Sequence, residues 1–138
     1  MAVLAIDYGR RKIGLALSRA NFVASRYKTL LKSSSIFDEI KEIIKKEKIY
    51  TIVFGLPRGL DGKVGTLENE AKKFASKIEK QFDLPIIYVD EGFTSEQAMQ
   101  NLKSEGIPFK KSKLIVDQEA ARIILEEYLN TKRTFDQV

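Results

Sequence analysis

Two rhythms of apolar residues run along this chain. Residues 3–7 and 13–18 are nearly continuous aliphatic runs, each short enough for a buried strand. The few residues between them predict antiparallel neighbours, and a third strand is expected within residues 22–30. From Ser35 the period changes. Ile36, Phe37, Ile40, Ile43 and Ile44 recur at helical spacing, with Lys41, Glu42, Lys45 and Lys46 opposite, and Ser35 followed by Asp38 reads as an N-cap. A strand is expected at residues 50–54, then a glycine-rich loop at 55–65. A helix follows from about Thr66, its apolar face formed by Leu67, Ala71, Phe74, Ala75 and Ile78. Residues 85–89 predict another strand. Thr94 with Gln97 marks a helix start, Gly106 and Pro108 end that helix, and residues 114–129 form the last one. After Asn130 no pattern persists, so the tail is expected to fray.

The order β-β-β-α-β-α-β-α-α implies an α/β fold. A β-meander is followed by strands joined through parallel crossovers, giving one mixed five-stranded sheet flanked by helices. The length of 138 residues suits one domain spanning 1–138. No apolar run approaches the ~20 residues of a membrane span, and the N-terminus lacks signal-peptide order. A cytoplasmic protein without a membrane partner is expected.

Composition narrows the chemistry. The chain has no cysteine and no histidine, which excludes disulfides, Cys/His zinc sites, thiol nucleophiles and a Ser–His–Asp triad. A net charge of +5 favours a polyanionic partner.

Three carboxylates then stand out. Asp7 ends the first strand and Glu91 follows the last. In a sheet with parallel crossovers, strand carboxyl ends share one edge, where ligands bind. Asp117 lies early in the last helix, in line with Ala121 and Ile124, on the face that should pack against the sheet. Oxygen ligands without His or Cys match Mg²⁺ or Mn²⁺, and paired ions of that kind cleave phosphodiesters. Asp7, Glu91 and Asp117 are therefore candidate metal ligands and catalytic residues. Arg10, Arg11 and Lys12, with Lys110, Lys111 and Lys113, are candidate nucleic-acid contacts. Plainer readings stand beside these: Asp7 capping a glycine turn, Asp90 or Glu91 as solvated loop charges, Asp117 as an N-terminal helix charge, and the cations as a solvated turn. Residues 55–65 do not fit a P-loop, because Val64 stands where Ser or Thr belongs. They read as a mobile loop at the same edge or as an ordinary connection.

The stretches "DYGRRKIGLALS", "VFGLPRGLDGKVG", "VDEGFTSEQA" and "VDQEAARIIL" occur in the order of the YqgF family and span nearly the whole chain. That family comprises bacterial RNase H-fold proteins similar to RuvC-type Holliday junction resolvases. The resemblance implies an RNase H-like fold and a metal-dependent nuclease, with catalytic roles at Asp7, Glu91 and Asp117. It further implies processing of the 5′ end of pre-16S rRNA, with Holliday junction resolution as the older assignment. Structured RNA or branched DNA would be the partner, and a homodimer is one option for the assembly. Lys12 and Gly92 each stand where the family usually carries Arg. Two other classes remain open: a non-catalytic nucleic-acid-binding protein of ribosome assembly, and a phosphotransferase, because "IDYG" also resembles the first phosphate motif of sugar kinases.

Overall fold

The structure, a computed structural model, describes residues 1–20, 23–56, 65–90 and 94–136, with backbone alone for 133–136. The elements follow the expected order: β1 (Ala2–Tyr8), β2 (Lys12–Arg19), β3 (Ser25–Leu31), α1 (Ile36–Glu47), β4 (Ile49–Leu56), α2 (Thr66–Phe82), β5 (Ile86–Asp90), α3 (Thr94–Ser104) and α4 (Phe109–Asp136). The sheet order is β3-β2-β1-β4-β5. β1–β2 and β2–β3 pair antiparallel, whereas β1–β4 and β4–β5 pair parallel. This is the mixed sheet that the short first connections and the later helical crossovers require.

Strand alternation sorts the core onto two faces. Leu4, Ile6 and Tyr8 of β1 join Ile13, Leu15, Ile52 and Phe54 beneath α1 and α2. Val3 and Ala5 join Ala16 and Val53 beneath Ala121, Ile124 and Leu125 of α4. Small side chains on this second face let α4 lie close to the sheet. α3 packs outside α4 and buries Ala98 and Leu102.

Several boundaries differ from the sequence reading. β4 continues through Gly55 and Leu56, because its ladder to β1 and β5 runs on past the apolar stretch. α4 begins at Phe109 rather than 114. Pro108 stands just ahead of its first turn, where a missing N–H costs nothing. Ser35 does precede α1, but its side chain makes no cap bond to the helix; its Oγ meets Ser33 Oγ at 2.9 Å. Gln97 likewise does not turn back toward Thr94, and its Nε2 donates forward to Asn101 at 2.8 Å. The end of α3 is as expected. Gly106 takes φ +79°, and the Ile107 N–H reaches Leu102 O at 3.1 Å in a Schellman-type closure. Most of the glycine-rich loop lies outside the described residues.

Candidate active site

Asp7 stands at the carboxyl end of β1 and is 6% exposed. As an odd-numbered residue of β1 it shares the α4 face with Val3 and Ala5. Pairing places Gly14 of β2 directly opposite Asp7 on one side and Gly55 of β4 on the other, with Val89 of β5 next in the row. One carboxylate is thus framed by two residues without side chains.

The glycines make room for α4. A Cβ at Gly14 would lie 2.0 Å from the Asp117 carbonyl oxygen and 2.7 Å from the Asp117 Cβ. At Gly55 it would lie 2.4 Å from Ile124 Cδ1. Helix backbone therefore rests directly on strand backbone at Gly14, and Asp117 is seated over the strand residue paired with Asp7. Cross-strand partners stand about 5 Å apart at Cα, so the two aspartates belong to one locality. Gly14 lies inside β2, within the strand expected at residues 13–18, and serves this contact. Gly9 does serve the turn, where a Cβ would lie 2.7 Å from Lys12 O.

Lys12 opens β2 on the same face, and its Nζ sits 3.1 Å from Asp117 Oδ2. The cation expected to face nucleic acid is engaged with a candidate metal ligand. It offsets part of the like-charge repulsion that two neighbouring carboxylates create. Arg10 and Arg11 are exposed at the turn. Arg10 leans toward α2, with Nε 3.7 Å from Glu70 Oε2, while the Arg11 carbonyl accepts the Lys32 N–H at 2.8 Å.

Lys110, Lys111 and Lys113 are exposed in the first turns of α4, which carry no acidic residue. Cations there oppose the helix dipole. Lys113 and Lys110 stand one and two turns before Asp117, on its side of the helix. Lys113 also lies over the Phe109 ring, 4.9 Å from its centroid.

Glu91 lies outside the described residues, as does Gly92. Among the described residues no group of three acidic, His or Cys side chains forms a metal cluster. The described part of the donor set is Asp7 with Asp117. Both are hard oxygen ligands, held by a strand end and by a helix locked to its neighbouring strand. That chemistry fits a divalent cation of the Mg²⁺ or Mn²⁺ kind.

One network had no clear sequence signal. Glu119, fully buried two residues beyond Asp117, accepts from Arg122 Nη2 at 2.7 Å, Asn101 Nδ2 at 2.9 Å and Arg26 Nη1 at 3.1 Å. Burial pushes its carboxyl up, but the Arg122 and Asn101 hydrogen bonds outweigh that and hold it below the ordinary glutamate range. This ties β3, α3 and α4 together immediately behind Asp117. An acidic residue within an apolar helical stretch was the only hint in the chain.

A family model described as "RuvX: Holliday junction resolvase" matches residues 1–131. A "Putative pre-16S rRNA nuclease" of Maridesulfovibrio salexigens is 40% identical over 132 residues, covering 94% of this chain and 98% of that protein. One of the same name from Bacteroides fragilis is 34% identical, covering 95% and 97%. Among solved structures, T. thermophilus RuvC in complex with a Holliday junction substrate superposes with a TM-score of 0.62 at 14% identity, covering 96% of each chain. Fowlpox virus resolvase with Holliday junction DNA gives 0.62 at 11% identity, covering 95% of this chain and 98% of that one. At such identities these two establish the fold, which is RNase H-like.

Proposed function

This chain belongs to the RuvX Holliday junction resolvase family, and on that premise we propose that it is a divalent-metal-dependent endonuclease whose substrate is precursor 16S rRNA. The observation that carries the reading is the seating of Asp117 on Gly14, opposite Asp7, which gathers carboxylates at the sheet edge where ligands bind in such folds. The names of relatives that match almost end to end support the RNA substrate over a DNA junction.

Asp7 and Asp117 would hold the ion, with Glu91 as the expected third ligand. When bound, Mg²⁺ or Mn²⁺ supplies Lewis acidity and a more acidic water for phosphodiester hydrolysis. The protein supplies position. Asp7 is held by a ladder on both sides, so its carboxylate is oriented without a flexible loop. Lys12 offsets the charge of Asp117, and its ammonium, part-exposed at the turn, would be within reach of a phosphate at that carboxylate. Arg11 and the lysines at the start of α4 raise the local concentration of the polyanion. Among the described residues no helix is long and apolar enough to cross a membrane, in keeping with a cytoplasmic site of action.

The test is side-by-side digestion of precursor rRNA and a four-way DNA junction with Mn²⁺, using wild type and Asp7→Asn, alongside Mn²⁺ calorimetry. The expected result is cleavage of the RNA by wild type only, with Mn²⁺ affinity lost in the variant. Preferential cutting of the junction would replace the substrate assignment. Equal Mn²⁺ binding by both proteins would remove Asp7 from the site.

A further inference from the structure

A second polar feature lies on the opposite face of the sheet. Tyr8 follows Asp7 in β1, so its ring points toward α1 and α2, away from the carboxylates. Beside it is an open cavity of about 390 Å³ whose walls include Tyr8, Lys32, Phe37, Lys73, Phe74 and Lys77. Lys32 Nζ donates to the Tyr8 hydroxyl. It lies 4.2 Å from the centroid of the Tyr8 ring and 5.7 Å from that of Phe74. The ammonium is thereby held in place on an aromatic floor, with N–H groups left over after the Tyr8 bond.

The other two lysines are exposed on α2, four residues apart on one face. Like charges at that spacing destabilise a helix. Among the described residues no carboxylate pairs with Lys32, Lys73 or Lys77. Their neighbour Lys72, by contrast, pairs with Glu68 at 3.5 Å. The acid on the cavity wall, Glu70, is engaged by Arg10. Three uncompensated ammonium groups around one cavity describe an anion site, and compact point charges of this kind suit phosphate. The Arg10–Glu70 pair carries the basic β1–β2 turn over to this side, so positive charge runs from the turn beside Asp7 into the cavity.

We propose that the cleft between the start of α1 and α2 binds a backbone phosphate of the same nucleic-acid strand that reaches Asp7 and Asp117, the strand crossing the sheet edge over the β1–β2 turn. The inference rests on the nuclease reading for the identity of the strand. The site itself lies on the other face from the metal ligands and is tested without metal.

Binding of a labelled single-stranded RNA is measured across a salt series in chelator, so that nothing is cut. Lys73→Ala/Lys77→Ala is compared with Lys41→Ala/Lys45→Ala, an equal loss of charge at exposed positions of α1 that do not line the cavity. Lys73→Arg/Lys77→Arg is the charge-preserving control. Each phosphate contact with a single strand contributes about 0.7 to the slope of log K against log salt. The Lys73/Lys77 double alanine variant removes that one contact and should flatten the slope by about 0.7, and the other two should leave it near wild type. Melting scans confirm that all three are folded. An unchanged slope in the Lys73/Lys77 alanine variant overturns the proposal, and so does an equal change in the Lys41/Lys45 variant, which would mean general electrostatics. A parallel calorimetric titration with inorganic phosphate separates the sources: phosphate binding lost in the cleft variant while its RNA slope is unchanged would assign the cleft to a free phosphate ligand and overturn the strand path. Failure of wild type to bind RNA at all would overturn the nuclease reading as well, whereas the outcomes above leave that reading standing.

Discussion

Gly14→Ala tests the contact on which the site depends. The added methyl would start 2.0 Å from the Asp117 carbonyl oxygen and 2.2 Å from its carbon. Relief needs a separation above about 3 Å, so α4 must lift by roughly 1 Å at Asp117. Helix backbone cannot rotate aside as a side-chain tip can. Gly55→Ala is the milder perturbation, because it meets Cδ1 at the end of Ile124. Overpacking of a tight core costs about 1–3 kcal/mol. Replacing Gly by Ala returns about 0.4–1 kcal/mol by restricting the unfolded chain. The net loss for Gly14→Ala is about 1–2 kcal/mol, and at about 4 °C per kcal/mol for a domain of this size the Tm falls by about 4–8 °C. The site suffers more than the fold. Metal geometry tolerates a few tenths of an ångström, so Mn²⁺ affinity measured by calorimetry should fall about tenfold or more. Gly65→Ala, where nothing lies within 4 Å of the new methyl, is the control. If Gly14→Ala melts with wild type and binds Mn²⁺ equally, α4 does not rest on β2 at Gly14 and Asp117 is not seated beside Asp7 by that contact.

Two other perturbations follow from the same geometry. Lys12→Met removes the cation 3.1 Å from Asp117; a half-exposed pair of this kind is worth up to about 1 kcal/mol, so Mn²⁺ should bind up to about fivefold tighter, and weaker binding in the variant would show that Lys12 does not compete for the carboxylate. Glu119 has its carboxyl held below the ordinary glutamate value of 4.5. Its contribution to stability is therefore complete above that pH and is lost as pH falls through the lower folded value. Glu119→Gln should flatten the acid limb of the stability curve, whereas Glu119→Ala, which removes the buried carboxylate shared by Arg26, Asn101 and Arg122 and leaves the arginines to Glu105 and Glu126, should cost about 1.5–3 kcal/mol in a denaturant titration. An acid limb of unaltered slope in Glu119→Gln would place the acid sensitivity elsewhere.

Much of this architecture was legible along the chain. The switch between short continuous apolar runs and helical spacing marks most elements, because strands buried on both faces and amphipathic helices each leave their own apolar pattern in the sequence. The apolar face of α2 carries the buried Ala71, Phe74, Ala75 and Ile78 as the spacing required. Ala121 and Ile124 do line the sheet beneath α4. The boundaries that moved are those decided at a distance. The ladder to β1 and β5 extends β4 through Gly55, where local propensity would stop it, and the hydroxyl of Ser35 turns to Ser33 rather than to its helix.

The candidate site divides in the same way. Asp7 was legible by itself, as a carboxylate at the end of an aliphatic strand, and so was Asp117, as an acid in line with an apolar helical face. Their convergence at one sheet edge was expected too, but the contact that fixes it was not legible. It depends on Gly14, far away in the chain, being narrow enough for helix backbone to touch strand backbone. The destination of each cation was equally hidden. Lys12 and Arg10 stand two positions apart, yet one pairs with Asp117 of α4 and the other with Glu70 of α2. The turn between β1 and β2 separates the two faces of the sheet, and a long side chain is drawn to whichever opposite charge the tertiary packing brings within reach. Sequence determines the period, the sign of the charge and the strand end. Which carboxylate a cation finds, and which helix crosses which glycine, is decided only when the layers close.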